Sequence, residues 1–152
     1  MNPYLLKSIG LGPTVVRRLV NLIPDSKIDV ALGPDRFTVR EVVAHLADWE
    51  LLFRGRMDRA LTRPETSIVV HDEGQRAIEM KYSQSNLDEQ LNIFSTQRQK
   101  TKLLLHSLTE EELAKCFIHP ANGLMSITDQ ANMLLGHDMY HIEQLSAYLS
   151  LR

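Results

Sequence analysis

The chain has 152 residues, 43% of them hydrophobic and 24% charged, with a formal net charge of −2. That is enough chain to bury a sizeable core, and the scattered Lys and Arg exclude the basic stripe on which nucleic-acid binding depends. The single Cys116 excludes an internal disulfide, no apolar run approaches the ~20 residues of a membrane span, and Met1 to Lys7 lacks a signal-peptide pattern, so we expect one cytoplasmic domain over residues 1–152.

The first helical pattern covers Asn2 to Ile23. Val15, Val16, Leu19, Leu22 and Ile23 recur at helical spacing, and Gly10-Leu11-Gly12-Pro13 interrupts the run, where Pro13 fits a kink or a fresh start. Pro24-Asp25-Ser26 ends it, and a loop with a turn at Gly33-Pro34-Asp35 leads to Phe37. A second helix begins at Thr38, because Thr38 and Glu41 match a capping box. Its stripe runs Val42, His45 or Leu46, Trp49, Phe53, Met57 and Ala60, and Pro64 closes it. A polar connection through His71-Asp72-Glu73-Gly74 follows, with a short helix near Gln75 to Lys81.

The third long helix starts near Asn86, with Leu87, Leu91, Phe94, Thr101, Leu104, Leu105 and Leu108 on its inner face. Thr109-Glu110-Glu111-Glu112 caps a further short turn, and His119 to Gly123 reads as a loop. The fourth helix starts near Ser126, with Asp129 in the box position, and runs to about Leu149. Its stripe is Ile127, Ala131, Leu134, His137 or Asp138, His141, Leu145 and Tyr148. No run alternates at period two; Thr66 to Val70 is too short and isolated. The expected class is therefore all-α, a bundle of four amphipathic helices.

Three of the six histidines fall on apolar stripes. His137 and His141 are four apart and share a helix face; His45 lies on another helix. Imidazoles turned into a core are costly unless something binds them, so we expect a divalent metal on His45, His137 and His141. Zn²⁺ suits three neutral imidazoles, and Ni²⁺, Fe²⁺ and Cu²⁺ are chemically compatible. Three protein ligands leave positions open, which is the pattern of a catalytic zinc site. Such an ion lowers the pKa of a water or thiol that it holds. A zincin protease is disfavoured, because Asp138 stands where the general-base Glu is required.

Each ligating ring needs an acceptor for its other N–H, and helical spacing offers Asp48, Asp138 and Gln144, with the two aspartates ahead. Asp138 and Asp48 are also the candidates to accept a proton. Trp49 and Arg98 are candidate cofactor-binding residues: Trp49 is either core or substrate-contacting, and Arg98 interrupts an apolar stripe, pointing into a pocket or outward. Glu50 and Arg56 form a rim pair or a surface pair. His71 and His119, in loops, face solvent or line the site's mouth; His106 complements a helix dipole, and Cys116 is a small buried apolar residue.

The run from Thr38 to Glu50, containing His45-Leu46-Ala47-Asp48-Trp49-Glu50, resembles the DinB/YfiT-like superfamily, as does His137-Asp138-Met139-Tyr140-His141-Ile142-Glu143-Gln144. Arg56, Arg98, the Ser107 to Ala114 segment and the His119 to Gly123 loop extend the likeness over nearly the whole chain. The resemblance implies an up-down-down-up four-helix bundle, a metal on His45, His137 and His141, and a homodimer. It also implies chemistry with a low-molecular-weight thiol such as bacillithiol or mycothiol, as in the family's metal-dependent transferases and its thiol-dependent maleylpyruvate isomerase. The expected function is thus a metal-dependent enzyme that activates a thiol or water against a small electrophile. The alternative is a noncatalytic metal- or small-molecule-binding protein of a stress response.

Overall fold

A computed structural model describes residues 1–150. Four long helices form it: α1 (Pro3–Val20), α2 (Val39–Thr62), α4 (Leu87–Ser107) and α6 (Ile127–Ala147). The short helices α3 (Glu73–Glu79) and α5 (Glu110–Leu113) lie in the connections. A hairpin of β1 (Cys116–His119) and β2 (Gly123–Ser126) precedes α6. Helix α1 packs on α4 and α6, and α2 packs on the same two, so this is a four-helix bundle running up-down-down-up. Parallel neighbours need a long crossover. Helix α2 has 24 residues and is therefore ~36 Å long, and residues 63–86 return the chain along it to start α4 in the same direction.

The helix starts follow from side-chain caps. Thr38 and Glu41, Thr109 and Glu112, and Ser126 and Asp129 each form a reciprocal capping box, while Asn86 accepts from the Glu89 backbone N–H. Two departures from the sequence reading stand out. Helix α1 is continuous, with Pro13 and Gly12 buried inside it. The loop expected at His119 to Gly123 is the tip of a hairpin: Phe117 and Met125 turn into the core while Ile118 and Leu124 face out, and Ile118 also bridges to Ser67. Gly123 supplies the positive φ of 72° that closes the hairpin.

The core has two apolar parts. One holds Ile9, Trp49, Phe53, Met57, Leu105, Phe117 and Leu134; the other holds Val16, Val20, Val43, Leu91, Phe94 and Leu145. Between them every long helix contributes to a polar belt. Gly12 comes from α1, His45 and Glu50 from α2, Arg98 from α4, and Asp138 and His141 from α6, all buried.

Candidate metal centre

The i,i+4 spacing on α6 and the inward stripe of α2 bring three imidazoles together. His137 Nε2 lies 2.8 Å from His45 Nε2 and 3.2 Å from His141 Nε2. One ligand atom of each ring lies within 4.8 Å of the other two. His45 is fully buried and His141 nearly so, at 0% and 3% exposure; His137 is half-buried. Phe37, Trp49 and Tyr82 surround the His45 ring at centroid distances of 5.4, 5.0 and 6.2 Å, and His137 stacks on Trp49 at 5.9 Å.

Burial keeps all three rings neutral. It drives the pKa down from 6.5 to about 2 at His45, about 3 at His137 and about 4 at His141, helped at the first two by the neighbouring rings. The orientation of His141 is set by Gln144, whose Oε1 lies 2.7 Å from Nδ1 and accepts the ring N–H. That tautomer leaves the Nε2 lone pair aimed at the other two rings. Lone pairs this close repel unless a proton or a cation lies between them. Ligands of a tetrahedral cation at 2.0–2.1 Å sit about 3.3 Å apart, so the trio fits such an ion with small adjustments. His45 Nδ1 is buried and has no hydrogen-bond partner among the described residues.

Asp48 and Asp138 do not serve the imidazoles as expected. Asp48 accepts from Arg76 Nε and Nη2 and, at 2.6 Å, from the Tyr82 hydroxyl, tying the 63–86 crossover to α2. Asp138 faces away from its neighbour His137, because α6 turns about 100° per residue. It takes Arg98 Nη1 and Nη2 at 2.5 and 2.9 Å. Arg98 also pairs with Glu50 at 2.8 Å, so Glu50 has Arg98 and not Arg56 as its partner. Burial pushes the Glu50 and Asp138 carboxyls upward, and Arg98 opposes it. Arg98 is therefore committed to an internal ion cluster, not to a pocket.

A cavity of about 180 Å³ reaches the centre at His141, with Arg36, Phe37, Glu73, Tyr140 and Gln144 in its wall. Arg36 Nη1 donates to the Tyr140 hydroxyl at 2.9 Å across its rim. Sequence reasoning missed Arg36, Arg76 and Tyr82, and no local signal marks them, since their partners lie 104, 28 and 34 positions away. His106 and Cys116 stand apart from the centre; Cys116 is half-buried, with Sγ 3.2 Å from the Ala114 carbonyl.

The chain is similar to proteins that are named for a metal. A protein of Oceanobacillus iheyensis, provisionally named a metal-dependent hydrolase, is 26% identical over 147 residues, 95% of this chain and 83% of that protein. YfiT of Bacillus subtilis, named in the same way, is 25% identical over 136 residues, 88% of this chain and 76% of that protein. The solved YfiT bundle, whose topology is described as unusual, superposes with a TM-score of 0.89 at 20% identity, over 97% of this chain and 87% of that one. A mycothiol-dependent maleylpyruvate isomerase shares the fold at a TM-score of 0.76 and 17% identity, over 93% of this chain and 59% of that chain. A family model described as the DinB superfamily matches residues 11–145, and the chain belongs to that superfamily.

Proposed function

We propose that this protein is a metal-dependent enzyme that activates a small nucleophile, water or a low-molecular-weight thiol, against a small electrophilic substrate. The observation that carries the reading is the convergence of His45, His137 and His141 Nε2 atoms in a buried, neutral cluster. The three rings would hold a divalent cation, with zinc or nickel best matched to an all-imidazole donor set. When bound, that ion supplies Lewis acidity and lowers the pKa of the nucleophile.

The chain's own residues set up the reaction. Gln144 fixes the His141 tautomer, and Phe37, Trp49 and Tyr82 keep water from the buried face of His45. The cavity at His141 gives a substrate its approach, which favours an enzyme over a sealed structural metal. Asp48 and Asp138 act as positioning residues, holding the crossover and α6 in place. The hydrolase names of the relatives favour water as nucleophile, and the mycothiol-dependent fold neighbour favours a thiol.

The test supplies zinc- and nickel-loaded protein with a panel of thiols and electrophilic esters, amides and epoxides. Turnover above a His137→Ala control, through hydrolysis or thiol transfer, is the expected result. Stoichiometric metal binding without turnover in any arm would leave a binding protein instead.

A further inference from the structure

Arg56 is 6% exposed, yet it forms no ion pair or hydrogen bond with the described residues. The other buried arginine, Arg98, has two carboxylates and a carbonyl. No Arg56 nitrogen is among the fully buried atoms that lack a partner, so the guanidinium reaches the adjoining cavity, while burial of the side chain depresses its pKa. What surrounds it is aromatic: its Cζ lies 5.2 Å from the Phe53 ring centre and 5.9 Å from that of Trp49. Those rings orient the cation but satisfy none of its five N–H donors.

The position relates Arg56 to the three histidines. On α2 a long side chain leans toward the helix N-terminus, so Arg56 reaches back over Phe53 toward Trp49. The edge-on contact of Phe53 with His137 spans 5.1 Å, which leaves one phenyl ring between imidazole and guanidinium. On its other side Arg56 lines a cavity of about 280 Å³ whose further walls include Leu51, Leu52, Ile68, Val69 and His71. The Arg56 charge also helps to depress the pKa of His119, whose Nδ1 already accepts from the Ala121 and Asn122 backbone N–H groups.

We propose that Arg56 anchors an anion site in this second cavity, separate from the cavity at His141, and that it takes the carboxylate of a small ligand with an apolar body. The planar fork of Arg56 matches a carboxylate bidentately, beside a wall in which Leu51, Leu52, Ile68 and Val69 are apolar and Arg59 and His71 are not. Arg59 in the same cavity spends its Nε on Thr66, and the aliphatic part of the wall favours a singly charged carboxylate with an apolar body over phosphate. The ligand class is therefore a small carboxylate whose apolar body packs against Leu51, Leu52, Ile68 and Val69.

Trp49 is the only tryptophan, so its fluorescence reports on the ring beneath Arg56. Hexanoate, its neutral counterpart hexanamide and inorganic phosphate would be titrated into chelator-treated and zinc-loaded protein, with zinc content measured on the same samples. The expected result is saturable binding of hexanoate at least tenfold tighter than hexanamide in both metal states. Arg56→Met abolishes that preference, and Arg56→Lys keeps part of it. Arg56→Met should also melt no lower than wild type, since it removes an unpaired buried charge, whereas a structural arginine would lower the midpoint. The proposal is overturned by phosphate binding as tightly as hexanoate, or by a carboxylate preference that needs zinc and survives Arg56→Met. In the latter case the anion sits on the metal and the three-histidine reading stands. Failure to take up zinc, with the Arg56-dependent preference intact, would instead remove the metal reading and keep the subsite.

Discussion

Arg98 Nη1 donates to the carbonyl of Ile9 at 2.9 Å. In an uninterrupted helix that carbonyl would accept from the N–H four residues on, but residue 13 is proline and has none. Helix α1 therefore runs through Pro13 because a side chain from α4 replaces the missing donor. Gly12 lets the cluster approach: a Cβ there would stand 2.2 Å from Asp138 Oδ2 and 2.8 Å from Arg98 Nη1.

Substituting Gly12→Ala should accordingly destabilise the protein by about 1–3 kcal/mol or more, despite the better helix propensity of alanine. At Gly136, also helical, a Cβ meets nothing within 4 Å. Gly136→Ala should stabilise by roughly 0.5–1 kcal/mol. Urea denaturation of both variants checks the contrast, and similar effects at the two sites would refute the close-packed cluster.

Arg98→Met strips both Glu50 and Asp138 of their buried counter-charge. The expected loss is about 3–5 kcal/mol. Combining it with Glu50→Gln and Asp138→Asn should recover part of that loss, because fewer buried charges are left unpaired. A triple variant no more stable than Arg98→Met would argue against charge burial as the cause.

Wild-type protein should bind one zinc or nickel ion per chain, and His45→Ala, His137→Ala and His141→Ala should each abolish tight binding. Gln144→Ala, which removes the acceptor that orients His141, should weaken affinity by roughly 10–100-fold while leaving the fold intact. Competition against a chromophoric chelator measures both effects. An unchanged affinity in Gln144→Ala would mean that the hydrogen bond does not set the tautomer.

Acid should destabilise the metal-free protein through the same rings. A histidine whose folded pKa is lowered from 6.5 to about 4, as at His141, binds its proton in the unfolded chain first. Stability is then present above pH 6.5 and is lost as pH falls toward the folded value, by up to about 1.4 kcal/mol per pH unit for each ring. The raised carboxyls of Glu50 and Asp138 act with the opposite sign, so the informative comparison is with His141→Gln. Its stability should depend on pH less steeply between pH 6.5 and 4.5, by about one proton. Parallel pH profiles would show that His141 is not held neutral by folding.

Much of the fold is legible in the sequence because its signals are local. The boxes at Thr38, Thr109 and Ser126 each mark a helix start within four residues, and the stripes mark the buried faces. His137 and His141 are legible for the same reason. The continuity of α1 is not, because the donor that repairs Pro13 lies 89 positions from its acceptor Ile9. The hairpin escapes because two strands of four residues are too short to display a period. Spacing alone assigns Asp48 and Asp138 to the imidazoles. Spacing fixes which face of a helix a side chain occupies, but the competing cations, Arg76 and Arg98, come from other elements.

Helix α6 presents two different faces at adjacent positions: His137 looks toward α2, and Asp138 toward α1 and α4. The anchoring of the helix is thus independent of what its histidines hold. A lineage that lost the imidazoles, or exchanged them for other donors, would keep the same architecture. Shape alone is consequently a poor guide to which descendants of this scaffold still perform chemistry.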